Sequence, residues 1–297
     1  MMERSHYKRK IRGPITFYWN KIEAFIKSFF YNSNWQASRS LGKVKSEWEA
    51  RIEKVCSSQE NKFIKRVPGA GKISKGWITM HNGIQVSAMG YYGKGILNML
   101  VRNLGVHEPE EERVFQEVLK HIQPGSTMIE AGSYWAFYSL WFLNEVKDGK
   151  CHMIESSYAN ILSGRKNFKK ASKQGTFLHA FVDNYTDLSK KRRATITIDQ
   201  YCKDNNIQSL AILHADIQGA ELNMLQGSKT MLTGGCIDFI FVSTHSNQLH
   251  ASCKQFLSEF EYVIIADIDL DDTCSHDGLL TYKKKGIDFF FSKTNDL

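Results

Sequence analysis

The residues most able to do chemistry lie in Leu213-His-Ala-Asp-Ile-Gln-Gly-Ala-Glu-Leu222. An apolar run, Ala211-Ile-Leu213, leads into a turn where Asp216, Gln218 and Glu221 crowd around Gly219. Glycine permits the tight turn, and the pattern reads as a buried strand running straight into a helix. Polar groups at the carboxyl end of a central strand are where an open α/β sheet binds its ligands. A second stretch, Met128-Ile-Glu-Ala-Gly-Ser133, has the same character. Two such ends in one sheet predict a shared crevice.

The first strand end reads Glu130-Ala-Gly132-Ser-Tyr-Trp-Ala-Phe-Tyr138. Gly132 lets backbone approach a ligand closely, with Ser133 and Tyr134 beside it. The second strand ends Met153-Ile-Glu155-Ser156. An acid about 20–25 residues after a glycine turn is placed to accept both hydroxyls of a ribose. The third ends in Asp183, which suits an adenine amino group or, equally, a helix cap.

Histidines follow the later strand ends. His214 lies two residues before Asp216, and His245 closes Val242-Ser-Thr-His-Ser246. His245 fits a general base that deprotonates a substrate hydroxyl. His214, Asp216, His245 and Asp277 could instead share a divalent metal, since imidazole and carboxylate suit many such ions. A hydrogen-bonded structural histidine is the third reading. His250 is expected on a helix surface, and Asp267, Asp269, Asp271 and Asp272 form a solvated acidic loop whose spacing is broken for calcium.

The elements that position these groups alternate from Ser126 onward. Strands are predicted at Thr127–Ala131, Cys151–Glu155, Thr176–Val182, Leu210–Ala215 and Ile237–Ser243. Helices are predicted between them at Trp135–Val146, Tyr158–Ala171, Ala220–Leu232 and Gln248–Phe260. That alternation implies parallel strands with crossover helices. Tyr262–Ile268 and Ile287–Ser292 read as a closing hairpin at the sheet edge.

The sequence divides at about residues 75 and 125. Residues 76–125 form a bridge: His81-Asn-Gly83 signals a hairpin, and Glu108–Ile122 a helix with Glu110, Glu111 and Glu112 in its first turn, where the dipole favours them. Residues 1–75 form a basic helical arm. In it Ile15, Tyr18, Trp19, Ile22, Phe25, Ile26, Phe29 and Phe30 recur at helical spacing after Pro14. That face docks on protein, or residues 14–30 make a peripheral membrane contact. Val67–Lys75 reads as a linker; its Gly69-Ala-Gly71-Lys72 lacks phosphate-loop spacing.

An apolar fraction of 42% over 297 residues supports a full core. Mean hydropathy is −0.37, and no apolar run approaches the length of a membrane span. No apolar segment with a cleavage site follows the basic start, so a cytoplasmic protein is expected. The six cysteines are widely spaced without a CxxC pair, which predicts reduced thiols. A net charge of +8 attracts an acidic partner or is a solubilising face.

The order Ile129-Glu-Ala-Gly132, Ile154-Glu155, Thr197-Ile-Asp-Gln-Tyr201 and Ala215-Asp-Ile-Gln-Gly-Ala-Glu221 resembles the FkbM family of S-adenosylmethionine-dependent methyltransferases. That family shows a D-x-G-A-N-x-G turn, an acid after strand two, a tLD segment and K-x-D-x-E/Q-G-x-E after strand four. Tyr134 and Ala136 stand where the family has Asn and a second Gly, and His214 where it has Lys. The resemblance covers about residues 126–245. It implies a Rossmann-like α/β methyltransferase sheet, mostly parallel with an antiparallel edge hairpin, behind an N-terminal helical arm. Glu130, Gly132 and Glu155 would line the S-adenosylmethionine site, with Asp216 at the reaction crevice. The expected activity is methyl transfer to a hydroxyl of a sugar, polysaccharide or natural product, with a small-molecule or glycan acceptor. A catalytically inactive binding or scaffold protein is the alternative, ahead of a nucleic-acid methyltransferase that uses the basic arm.

Overall fold

The computed structural model describes residues 46–88, 93–189 and 194–291. The amphipathic segment 14–30, with its membrane or docking reading, lies outside the described residues.

Seven strands form one mixed sheet: β4 (Thr127–Ala131), β5 (Lys150–Glu155), β6 (Thr176–His179), β9 (Leu210–Ala215), β10 (Ile237–Thr244), β11 (Tyr262–Ile268) and β12 (Gly278–Lys284). Their spatial order is β11-β12-β10-β9-β4-β5-β6. All neighbours pair in parallel except β12, which runs antiparallel to both β10 and β11. The chain order reverses at β4, whose neighbours are β9 and β5, so the crevice at their carboxyl ends is the switch point of a doubly wound sheet. Every residue of β9 is buried, as expected for a central strand covered on both faces.

Helices α4 (Phe137–Glu145) and α5 (Tyr158–Ala171) carry the crossovers on the β5 side of the switch. On the other side lie α6 (Ile198–Asp204), α7 (Glu221–Gln226), α8 (Lys229–Thr233) and α9 (Asn247–Leu257). The α4 sequence FYSLWFLNE is apolar nearly all round and is buried from Phe137 to Leu143.

Ahead of the sheet come α1 (Ser46–Ser57), a three-stranded meander of β1 (Ile73–Ser74), β2 (Trp77–Thr79) and β3 (Gln85–Ser87), α2 (Lys94–Arg102) and α3 (Pro109–Leu119). The His81-Asn-Gly83 hairpin forms as expected. These elements share one core with the sheet: Ile52, Ile78, Val86 and Phe115 pack in the same cluster as Phe137, Trp141 and Phe241. Asn167 of α5 ties them further, accepting from Ser87 N–H and donating to Trp135 C=O, both at 2.9 Å.

Four sequence expectations fail. Val67–Lys75 is no free linker: Gly71 N–H donates to Thr79 C=O at 2.8 Å, and buried Ile73 pairs in the meander. The third strand breaks at Ala180; β7 (Phe181–Val182) leaves β6 and pairs with β8 (Thr195–Ile196). The final strand is Gly278–Lys284, not Ile287–Ser292. Residues 287–291 are extended coil whose Ile287 and Phe289 pack on the core, with Phe289 against the Phe239 ring. His250 is buried, with Nδ1 2.9 Å from Thr244 Oγ1 and Nε2 2.9 Å from Asp267 Oδ1.

Among the described residues, no helix is long and apolar enough to cross a membrane. All six cysteines are free thiols.

Candidate active site

The crevice begins where β4 and β9 end. Asp216 N–H donates to Ala131 C=O at 3.0 Å, which holds the two strand ends together. Gly132 sits at φ +77°, and a Cβ there would stand 1.8 Å from the Asp216 carbonyl oxygen. Only glycine permits that approach. The turn continues through Tyr134 and Ala136, both non-glycine residues at positive φ.

Around this seam opens a cavity of about 350 Å³. Glu130, Gly132, Ser133, Tyr134, Glu155 and Ser156 all line it, as do His214 and Asp216. Asp183 does not: the wall there is Ala180, Phe181 and Val182, and the Asp183 carboxylate accepts from Asn184 N–H at 2.7 Å. The break in the third strand comes at that point, and Ala180, Phe181 and Val182, in place of an acid, stand against the cavity.

Glu155 clamps both sides of the crevice. Its Oε2 accepts from Tyr134 N–H at 3.0 Å and its Oε1 from Ser157 N–H at 2.7 Å. Burial raises its pKa, and these hydrogen bonds pull the other way. Glu130 accepts from Ser139 N–H at 3.1 Å and from the Ser139 hydroxyl. Burial pushes its carboxyl up to about 7, against the pull of His214 and Ser139. The Ser133 hydroxyl is buried and meets no hydrogen-bond partner among the described residues, so a polar group is available to a ligand at the turn.

His107 and Glu108, immediately ahead of α3, also line the cavity, and α3 itself pairs with lining residues; sequence reasoning placed neither at the site. The three first-turn glutamates of α3 are buried, and each reaches a different part of the fold. Glu110 accepts from Cys274 N–H at 2.6 Å and from the Ser275 hydroxyl at 2.8 Å. Glu111 pairs with His214 Nε2 and accepts from the Ser243 hydroxyl at 2.9 Å. Glu112 accepts from His107 N–H at 2.9 Å and lies 3.1 Å from His81 Nε2. His107 and Glu108 line the cavity beside Tyr138, whose hydroxyl donates to Glu108 at 3.1 Å. Burial opposes charge on His107, yet Glu108 and Glu112 raise it to about 10. His214 is raised in the same way, against burial, by Glu111. It is therefore held in a buried pair with Glu111 and is not a free base. The only signal for this in the sequence was a Glu-Glu-Glu run in a helical first turn, which reads equally well as a dipole effect.

His245 is gathered with Asp216 at the rim. Its Nε2 lies 3.3 Å from Asp216 Oδ1, 3.4 Å from Asp277 Oδ1 and 2.8 Å from Gln218 Nε2. Its Nδ1 lies 3.0 Å from Glu221 Oε1. Burial opposes its charge, but Asp216, Glu221 and Asp277 raise it to about 10. Burial likewise lifts Asp277 to about 7, with His245 pulling it down. Asp216 and Gln218 line the cavity, so the cluster opens onto it. The metal grouping of His214 with His245 does not form: His214 turns to Glu111, while Asp216, Glu221 and His245 converge.

The sequence model of the methyltransferase FkbM domain matches residues 96–264, more than half of the chain. The chain belongs to this family. As an FkbM-domain protein it is an S-adenosylmethionine-dependent methyltransferase, and its Rossmann-like sheet is the one the family resemblance implied. The family segment Thr197-Ile-Asp199 has a structural role in this member. Thr197 caps α6 by accepting from Gln200 N–H at 3.0 Å, and Asp199 accepts from Thr230 and Met231 N–H at 2.7 and 3.0 Å. No curated protein matches the chain.

Solved structures similar to this FkbM-domain chain include precorrin-6y C5,15-methyltransferase from Geobacter metallireducens. That match is 14% identical, covers 59% of this chain and 88% of that one, and has a TM-score of 0.41. An rRNA methylase from Streptococcus thermophilus is 7% identical over 59% and 96% of the two chains, with a TM-score of 0.45. M. capricolum TrmK, solved with the cofactor product S-adenosylhomocysteine, is 15% identical over 58% and 67%, with a TM-score of 0.38.

Proposed function

We propose that this methyltransferase acts on a hydroxyl oxygen of a neutral polyhydroxylated acceptor, such as a sugar, a polysaccharide unit or a glycosylated natural product. The observation that carries the reading is the rim cluster of Asp216, Gln218, His245 and Asp277 beside a cavity walled by acids and imidazoles. Among the described residues that line it there is no lysine or arginine. Each imidazole there already faces a carboxylate, so uronates, phosphates and nucleic acid would add to the acids of the wall, whereas hydroxyls find hydrogen-bond acceptors. The chain's +8 charge therefore does not describe its acceptor pocket.

In this reading Glu155 and the Gly132 turn hold the cofactor, with Glu130, Ser133, Tyr134 and Ser156 around it. Bound there, S-adenosylmethionine would supply an electrophilic methyl group for the acceptor oxygen, with S-adenosylhomocysteine and one proton as the other products. Positioning supplies most of the rate. The proton passes into the Asp216–His245–Asp277 cluster. Because His245 rests protonated, a carboxylate of the cluster takes that proton while the imidazolium steadies it. His214 acts through Glu111 as a wall, not as the acceptor of the proton.

The test pairs binding with turnover. His245→Ala is expected to bind S-adenosylhomocysteine within about twofold of wild type by calorimetry, while losing about 100-fold or more in methyl transfer to a responsive neutral glycoside. Turnover unchanged in the variant removes the cluster from the reaction. Faster methylation of uronates or RNA than of neutral glycosides overturns the acceptor class.

A further inference from the structure

Part of the positive charge missing from the acceptor cavity lies beside its rim. A second cavity, of about 460 Å³, opens between α1 and the loop ahead of β12. Its described lining is Trp48, Ala50, Arg51, Lys54, Ser275 and His276. Trp48, Arg51 and Lys54 recur every three residues, so they share one face of α1. His276 immediately precedes Asp277 of the rim cluster. Burial lifts the Asp277 carboxyl, and the Arg51 charge reaches far enough to oppose that rise.

Arg51 differs from the other half-buried arginines. Arg66 donates to the backbone and side-chain oxygens of Asn61, Arg102 pairs with Glu49, and Arg113 pairs with Glu60. Arg51 makes no hydrogen bond or ion pair among the described residues, and its Nε is buried without an acceptor. Glu49 and Glu53 stand two residues away on α1, a spacing that faces them elsewhere. Asp277 is turned to His245, 3.4 Å from its Nε2. The guanidinium lies over the Trp48 ring, 5.0 Å from its centroid. That ring rests on the α2 backbone, where a Cβ at Gly95 would stand 2.3 Å from it. Trp48 is thereby fixed and holds the guanidinium in place, in a contact that leaves the in-plane N–H groups for an anion.

We propose that Arg51, Lys54 and His276 bind a phosphoryl group, carried by a phosphate monoester or as free phosphate. A dianion meets two full cations there, and the guanidinium fork matches two phosphate oxygens. Burial, Arg51 and His245 hold the His276 pKa below the ordinary imidazole value, so at neutral pH its ring is uncharged and gives one N–H. The cavity falls within the ~300–1,000 Å³ of small-molecule sites, which leaves room for a sugar-sized group attached to the phosphate. The site does not rest on the acceptor reading. Its described lining shares no residue with that of the cavity around Gly132, and binding is measured without turnover.

Titrations of the full chain with inorganic phosphate, glucose 6-phosphate and glucose, at pH 7.5 with S-adenosylhomocysteine present, are read by calorimetry and phosphorus NMR line width. Saturable phosphate-dependent binding with a dissociation constant at or below about 1 mM is expected, with none for glucose. Tighter binding of glucose 6-phosphate assigns the site to a phosphate monoester and equal binding to free phosphate; both uphold it. Arg51→Gln should weaken binding about tenfold or more, since a charged hydrogen-bonding group is lost. Lys54→Gln should weaken it about three- to fivefold. Lys203→Gln removes the same charge from an exposed position on α6 and should leave affinity within about twofold. Binding weaker than about 1 mM, unchanged affinity in a folded Arg51→Gln variant, or an equal loss in Lys203→Gln overturns the proposal. If Arg51→Gln fails to fold, Lys54 is an exposed side chain and its variant decides.

Discussion

Replacing Gly132 by alanine tests whether the β4–β9 seam builds the cofactor crevice. The added Cβ would lie 1.8 Å from the Asp216 carbonyl oxygen and 2.7 Å from its carbon, so no side-chain rotation relieves it. Ordinary C···O contacts are no closer than about 3.3 Å, so the two strand ends must part by about 1.5 Å. That movement breaks the 3.0 Å bond from Asp216 N–H to Ala131 C=O. A lost hydrogen bond of this kind costs about 1 kcal/mol. The left-handed conformation adds roughly 1–2 kcal/mol for a residue with a Cβ. Overpacking contributes about 1–3 kcal/mol more. A total near 4 kcal/mol lowers the melting temperature by roughly 8–16 °C for a chain of this size. Gly219→Ala is the control: φ is +105°, yet nothing lies within 4 Å of its Cβ, so only the backbone cost remains. The assay is thermal unfolding with and without S-adenosylhomocysteine, together with calorimetric affinity. The reasoning is refuted if Gly132→Ala melts within 2 °C of Gly219→Ala and keeps cofactor affinity.

Glu155→Ala leaves two N–H groups, of Tyr134 and Ser157, without their carboxylate. Hydrogen bonds to charged groups contribute about 1.5–3 kcal/mol, so calorimetry should show S-adenosylhomocysteine weakened tenfold to a hundredfold. Asn167→Ala removes the link between Ser87 N–H and Trp135 C=O, and chemical denaturation should report a loss of about 2–3 kcal/mol. His245 and His107 have folded pKa values raised to about 10, above the ordinary imidazole value of ~6.5. Their stabilisation is therefore full below that ordinary value and is lost as pH rises through about 10. Melting temperature should fall from pH 6.5 toward 10, less steeply in His245→Ala, and a flat wild-type profile contradicts the raised values.

Strands β4, β5, β9 and β10 were legible because each is a short apolar run bounded by turn residues. The site was partly legible for the same reason: Glu130, Gly132, Glu155 and Asp216 follow strand ends, and sheet order alone brings them together. Two things resisted. Ile287–Phe291 has a strand's composition but packs as coil, whereas Gly278–Lys284 pairs with two neighbours despite its lysines. Apolar content marks burial, not the partner that takes the hydrogen bonds. The paired glutamates of α3 resisted more strongly. The partners of Glu111 are 103 and 132 residues away and those of Glu110 more than 160, distances at which no local pattern carries information. Asp277 was visible as a metal candidate, but its burial, which sets its proton affinity, was not.

The sheet's spatial order differs from its order of synthesis. β12 lies between β10 and β11, yet it is the last of the three to leave the ribosome. Until residue 284 emerges, the edge of β10, with Phe239, Phe241 and Val242 along it, has no antiparallel partner. An open apolar edge of this kind is a template for pairing with other chains. A nascent or truncated chain that ends near residue 264, where the family match stops, would carry that edge uncovered and would need a chaperone or a short dwell time to stay monomeric.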